Sequence, residues 1–392
     1  MKTAIRALAA IAHARIIENR RHLHANPELS YQEKNTSAYI KSCLDELGIS
    51  WKPMAETGVV AVITGELASD KVVALRADID ALPINELTNL PFRSNQAGVM
   101  HACGHDAHTA SLLGVAFILQ SLRNSFAGTV KLIFQPGEEK LPGGASIMIK
   151  EGVLDNPVPM AVIGQHVMPS IAAGKIGIRK GKFMASMDEL YVRIKGKGGH
   201  GAMPNQNIDP VLIASHIVVA LQQIVSRTCN PLVPAVLSFG RFIADGSNNI
   251  IPDEVLLEGT FRTVDEKQRC EAHEHMRQLA CGLAESLGAS CDFDIRVGYP
   301  VLVNAEELTN AVKTYAAEYM GSENIEEVDI WMAAEDFSYY SQATDACFYL
   351  LGIAKEDGIK RSLHSPFFDL DESALEAGAG LMAYIALKQL GN

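Results

Sequence analysis

Residues Val72–Asp80 read Val-Val-Ala-Leu-Arg-Ala-Asp-Ile-Asp, a short apolar run that ends in two carboxylates. With Ser69-Asp70 as punctuation before it, the run predicts a strand over Val72–Ala77. Similar runs recur at Val59–Thr64, Thr129–Phe134 and Met160–Gly164. Between them, apolar or small residues at 110, 113, 114, 117 and 118 follow a helical period behind Asp106, which reads as the helix cap. Strands alternating with helices predict an α/β sheet covered on both faces. The start of the chain, through Ile16, Ile17 and Leu23, reads as a helix ending in a turn at Pro27.

The pattern changes between about Met184 and Gly298. Strands are expected at Glu189–Lys195, Ala235–Phe242, Val255–Thr263 and Asp292–Val297. Two helices fit between them: Asp209–Arg227, with Asp209 as cap and Pro210 in the first helical position, and Asp265–Leu287, capped by Asp265. The order β-α-β-β-α-β is the split, ferredoxin-like unit. After Pro300 the first pattern resumes with a helix near Leu308–Tyr319, a strand near Cys347–Gly352 and a helix over Ala374–Leu390. The expectation is therefore a large α/β domain, a mixed sheet flanked by helices, built from residues 1–183 and 299–392. A smaller α+β domain, 184–298, is inserted into it.

Composition narrows the function. Of 392 residues, 48% are hydrophobic and 20% charged, as in an ordinary globular protein. The net charge of −12 is spread along the chain with no basic stripe, which argues against nucleic acid as a partner. No stretch reaches the ~18 uninterrupted apolar residues of a membrane span. The apolar run Ala7–Ala12 is shorter than the ~7–15 residues of a secretory core segment and is read as part of the first helix. Seven cysteines, at 43, 103, 229, 270, 281, 291 and 347, are an odd number without framework spacing. That suits a reducing, cytoplasmic setting.

The densest chemistry lies at Met100–Ala110, Met-His-Ala-Cys-Gly-His-Asp-Ala-His-Thr-Ala. With 12 histidines in the chain, an eight-residue window should hold roughly a quarter of one; His101–His108 holds three, with Cys103 and Asp106. Thiolate, imidazole and carboxylate together are the donors of borderline transition metals. Cys103 and His105 sit two apart in a glycine-containing loop. Glu138-Glu139 is an acid pair on a bend, where one carboxylate can bind a metal while the other handles a proton. His166 and His364 each read as lying beyond a strand. Cys103, His105, Glu139, His166 and His364 make an inventory of five ligands, suited to a two-metal centre with open positions. A cysteine–histidine nucleophile pair is the competing reading of Cys103; it leaves the other four unexplained. Asp78, Asp80, Glu138 and His166 all follow expected strands, where open α/β sheets build their sites.

These blocks, taken with Arg21–Ser30, Leu75–Pro83, Gly198–Pro204, Asn249–Asp253, Gly259–Arg262 and Ala334–Phe337, carry a resemblance. End to end, the chain resembles the aminoacylase/hippurate hydrolase branch of the co-catalytic metallopeptidases, the family that includes glutamate carboxypeptidase. The resemblance implies that Cys103, His105, Glu139, His166 and His364 hold two divalent ions, zinc, manganese, cobalt or nickel. It implies Glu138 as general base, His200 as a residue reaching the active site of a partner subunit, and Asn249 and Arg262 as holders of the substrate's polar parts. The two parts of the large domain would be catalytic, and the inserted domain a lid and dimerisation element of a homodimer. The implied reaction is hydrolysis of N-acetyl- or N-benzoyl-type amino acids to a carboxylate and a free amino acid, with a dipeptidase or carboxypeptidase as the alternative. Two departures stand out: Asp78 replaces a histidine of other branches, leaving it and Asp80 outside the ligand set, and Lys140-Leu141-Pro142 interrupts the glycine run after the acid pair. His24 is expected to orient the loop near Pro27, and His101 and His108 to support ligands through hydrogen bonds.

Overall fold

Val72–Ala77 belongs to a longer strand, Leu67–Asp78, whose first five residues are exposed and last seven buried. The computed structural model describes residues Met1–Asn392. They divide into two units: Met1–Gly181 with Val303–Asp329 and Asp336–Asn392, and Lys182–Leu302 with Ile330–Glu335.

In the first unit an eight-stranded sheet runs in the order Trp51–Met54, Gly58–Thr64, Ala127–Gln135, Leu67–Asp78, Val162–Ala172, Ala346–Ala354, Ile176–Ile178, Ile325–Glu327. The four central strands are mutually parallel, and antiparallel neighbours flank them, so the sheet is mixed. Helices Lys2–Ala25, His105–Ser121 and Ala374–Leu390 pack on one another and share one core with the strands. His105–Ser121 and Ala374–Leu390 are buried nearly all round. Shorter helices, Gly144–Lys150 and Ser338–Ala343, pack together and against strands Ala127–Gln135 and Ala346–Ala354 respectively.

Two local expectations are corrected. Asp106 does not cap its helix, which starts at His105 with Gly104 in the cap position. The Asp106 carboxylate instead accepts from Arg20 Nε (3.0 Å) and His24 Nδ1 (2.8 Å); a buried guanidinium claims it more strongly than backbone amides would. His166 lies inside a strand, Val162–Ala172, not beyond one. Parallel pairing with Ala346–Ala354 continues past Gly164, with His166 opposite Leu350 and Val167 opposite Leu351.

In the second unit, strands Ala235–Ile243, Glu254–Thr263, Asp188–Lys195 and Ser290–Val297 lie in that order, all antiparallel. Helices Pro210–Gln223 and Glu266–Ser286 pack on them, giving the split β-α-β-β-α-β arrangement. The Asp209 carboxylate accepts from the Val211 and Leu212 amides, and Asp265 from the Gln268 amide; such caps contribute about 1 kcal/mol each. Segment Pro210–Thr228 is long and apolar enough by composition to cross a membrane, with mean hydropathy 1.4. Here it lays one face on the sheet of the second unit: Ile213, Ala214, Ile217 and Leu221 are buried, while Leu212 and Val219 are exposed.

Candidate metal centre

The centre begins at a glycine. Gly104, between Cys103 and His105, has φ +84°, and a Cβ there would lie 2.4 Å from Val167 Cγ2. Only glycine both adopts this turn and lets the loop approach the strand that carries His166. As a result Cys103 Sγ lies 3.4 Å from His166 Nε2. His364 comes from the loop after strand Ala346–Ala354. Its φ is +59°, unusual for a side chain with Cβ, and its amide donates to Ala102 O at 2.8 Å. Backbone held in a sparsely populated region at a cost of order 1 kcal/mol is characteristic of functional positions.

Two of the candidate imidazole ligands are aimed by their second nitrogen. His105 Nδ1 donates to Asp80 O and Oδ1 (3.0 and 3.1 Å), leaving Nε2 as its donor atom. His166 Nδ1 donates to Val167 O at 2.7 Å, leaving Nε2 facing Cys103. His108 is different. Its Nδ1 donates to Asp78 Oδ1 (2.6 Å) and its Nε2 accepts the Val167 amide (2.8 Å), so both nitrogens are committed. His108 therefore supports the strand behind His166 and has no lone pair for a metal, although Asp78, His105 and His108 cluster closely.

The donor set suits divalent ions. Three overlapping groups, Cys103/His105/His166, Cys103/Glu139/His364 and His105/Glu138/Glu139, each bring their donor atoms within 4.8 Å of one another. His105 Nε2 and Glu139 Oε1 are buried without a hydrogen-bond partner, and His364 Nε2 approaches that same Glu139 oxygen to 3.3 Å. Unpartnered buried donors facing each other are costly unless a cation satisfies them. Local fields tell the same story. Burial opposes charging of His105, but Asp78, Asp80 and Glu139 raise it to about 10. Burial, reinforced by Glu139, Glu138 and Asp78, holds the Cys103 thiol well above its ordinary value.

The acid pair stands on a turn gripped from the amino-terminal segment. Gly137 has φ +60°, and a Cβ there would come within 2.3 Å of the Tyr31 ring. Glu33 accepts the Gly137 amide at 2.9 Å and Thr57 Oγ1 at 2.7 Å. Tyr31 donates its hydroxyl to Lys140 O (2.8 Å) and accepts the Gly143 amide (3.1 Å), clasping the Lys140-Leu141-Pro142 stretch. Glu138 is buried, and its Oε1 accepts the Asp336 amide at 3.4 Å.

Sequence reasoning passed over Asp80. Its Oδ2 accepts Ser30 Oγ (2.7 Å) and the Glu139 amide (3.0 Å), while Oδ1 and the main chain hold His105. It thus aims two candidate ligands at once. Its alternation with Asp78 at a strand end, both on one face, was the available signal. His24 bridges Asp106 and Glu86 rather than orienting the Pro27 loop. His101 is buried with neither ring nitrogen bonded, so it supports no ligand through a hydrogen bond.

Cys103, His105, Glu138, Glu139, His166 and His364 thus converge in the first unit. His200, Asn249 and Arg262 lie in the second. There His200 pairs with Ile250 across a short ribbon, the Asn249 carbonyl accepts the Gly201 amide at 2.9 Å, and both side chains are exposed. His200 Nδ1 accepts the Ala202 amide at 3.1 Å, which directs its Nε2 outward as a donor. Arg262, on strand Glu254–Thr263, is half-buried, donates to Met332 O at 3.2 Å and has its pKa lowered by burial.

Comparison with known proteins agrees with this architecture. The chain is 42% identical to N-acetyl-L-cysteine deacetylase of Bacillus subtilis (strain 168), over 96% of this chain and 88% of that protein. It is 45% identical to the N-acyl-L-amino acid amidohydrolase of Geobacillus stearothermophilus, over 74% and 78% of the two. The crystal structure of the Bacillus subtilis YXEP protein, a dinuclear metal binding peptidase from the M20 family, superposes with a TM-score of 0.83 at 38% identity, covering 97% of this chain and 99% of that one. Residues 74–388 match the peptidase family M20/M25/M40, and with these relatives spanning most of its length, the chain belongs to that family.

Proposed function

We propose that this chain hydrolyses the amide bond of N-acyl amino acids, releasing a carboxylate and a free amino acid, with two divalent transition-metal ions held by Cys103, His105, Glu139, His166 and His364. The observation that carries it is the convergence of those five donors beside a sixth acid, Glu138, with His105 Nε2 and Glu139 Oε1 buried and without a hydrogen-bond partner. The amidohydrolase and deacetylase relatives support the substrate class. When bound, the ions supply an acidified water and a polarised carbonyl. Glu138 takes the water's proton as it attacks and returns it to the departing nitrogen, which leaves poorly without it. His200 Nε2 donates to the developing oxyanion. The Arg262 fork, with Asn249, holds the substrate carboxylate.

A homodimer through the inserted unit accompanies this reading. The edge strand Ala235–Ile243 exposes Val236 and Phe242, and helix Pro210–Gln223 exposes Leu212 and Val219, apolar side chains of the kind a second copy covers. Seven free cysteines suit a cytoplasmic setting. Zinc, manganese, cobalt and nickel all suit a Cys/His/Glu set. The deciding experiment is a screen of N-acetyl and N-benzoyl amino acids and dipeptides on protein reconstituted with each metal. Preferential turnover of the N-acyl amino acids supports the proposal. Cleavage of dipeptides alone would make the chain a peptidase, and no cleavage by fully metallated protein would remove the catalytic reading.

A further inference from the structure

The group with the most buried charge near the centre is one that the chemistry above does not use. Arg76 is fully buried on strand Leu67–Asp78 and uses its whole guanidinium. Nη1 donates to Asp78 Oδ2 at 2.6 Å, Nη2 to Asp336 Oδ1 at 2.7 Å, and Nε to Gln135 Oε1 at 2.9 Å. Gln135 Nε2 donates in turn to both Asp336 oxygens at 2.8 Å, and the Ala145 amide donates to Asp336 Oδ2 at 2.9 Å. The Asp336 carboxylate is thereby tied to two strands and to the first turn of helix Gly144–Lys150. Its own backbone amide is the donor to Glu138 Oε1.

We propose that Asp336, locked in place by Arg76, Gln135 and the Ala145 amide, is the positioning residue for the general base Glu138; this rests on Glu138 acting as that base. A buried ion pair is weak evidence for stability, since apolar side chains of similar volume often serve as well. What this network supplies instead is orientation. Glu138 stands on a glycine turn, where a carboxylate can rotate about its side-chain torsions. An amide held against Oε1 at 3.4 Å selects one orientation of the carboxylate. The opposite arm of Arg76 reaches Asp78, which orients His108 against the Val167 amide, so one cation braces both the base and the strand of His166.

The test is steady-state kinetics of metal-loaded Asp336→Asn and Gln135→Leu, each alone and in a Glu138→Ala background, with metal stoichiometry and thermal midpoint measured in parallel. Asp336→Asn should lower kcat ~10–100-fold, as misplacing a catalytic group by a fraction of an ångström does, with KM changed by less than about twofold and two metals retained. Gln135→Leu leaves the ion pair intact and should lower kcat about 3–10-fold with the same signature. In the Glu138→Ala background either substitution should lower the residual rate by less than about twofold, because the group it orients is gone. Wild-type kcat in folded, metallated Asp336→Asn or Gln135→Leu overturns the proposal, as does an undiminished loss in the Glu138→Ala background. If Asp336→Asn does not fold, Gln135→Leu decides. Failure of the base reading is separately visible: Glu138→Ala with the network intact would then turn over like wild type.

Discussion

Behind the candidate centre, the sheet unit keeps its charges buried in connected pairs. Arg20 reaches Asp106 and Glu372, Arg76 reaches Asp78 and Asp336, and Asp80 ties Ser30, His105 and Glu139 together. The inserted unit has a buried knot of its own, in which Asp188 accepts from Arg269 and His273 at 2.6–3.0 Å. Its candidate substrate residues stand outside that knot: His200 and Asn249 are exposed on a two-residue ribbon, and Arg262 is half-buried. The difference separates two jobs. Ligands must be preorganised, because each misplaced donor weakens metal binding. Residues that meet substrate need access and contribute once it arrives.

The comparison is broken most sharply at Glu138. Glu138→Gln should retain two metals by elemental analysis and lose ~10²–10⁴-fold in kcat; full turnover would remove Glu138 from its role. His200→Ala should lose ~10²–10³-fold in kcat, the worth of an oxyanion donor, with metal content and thermal midpoint unchanged because the side chain is exposed. Mixing His200→Ala with Glu138→Gln subunits should restore about one working site per mixed dimer if His200 acts across subunits; no recovery places its action within one chain.

Asp80→Asn carries the test into the support of the ligands. It should weaken metal affinity ~10–100-fold in a competitive chelator titration, while kcat at saturating metal falls less. Arg262→Lys keeps the charge but loses the planar fork, so KM should rise about tenfold at nearly constant kcat. An equal fall in kcat would show that Arg262 acts in the transition state as well.

The smallest effect lies away from both sets. Lys131 is buried on strand Ala127–Gln135, its Nζ donating to Val153 O and Asp155 O, and burial with Lys52 nearby lowers it from 10.5 to about 8. Between pH 8 and 10.5 the unfolded chain holds a proton that the folded chain has released, so this group makes stability rise with pH across that window. Urea denaturation at pH 8 and pH 10 should show wild type gaining stability relative to Lys131→Met as pH rises, the difference isolating this group.

Much of the fold was legible because hydrophobic period is a local property. Helix Ala374–Leu390 coincides with its expectation, and the caps Asp209 and Asp265 act where their spacing placed them. Asp106 misled because a cap and a buried ion-pair partner look alike in sequence, and only Arg20, 86 residues earlier, separates them. His166 was misplaced relative to its strand because pairing with Ala346–Ala354 extends the ladder past the apolar run.

By itself, the sequence determined which residue types this protein can bring to a metal and to a proton. It also supplied Gly104 between Cys103 and His105, the one residue type that takes a left-handed turn there without strain. Tertiary structure alone decided the rest. It spends both nitrogens of His108 on Asp78 and Val167, leaves His105 Nε2 and Glu139 Oε1 unpartnered, and runs a chain of buried charge from Arg76 through Asp336 to the Glu138 carboxylate. The physical reason is that a donor's identity is written in its side chain, whereas its lone pair is committed by neighbours tens to hundreds of residues away.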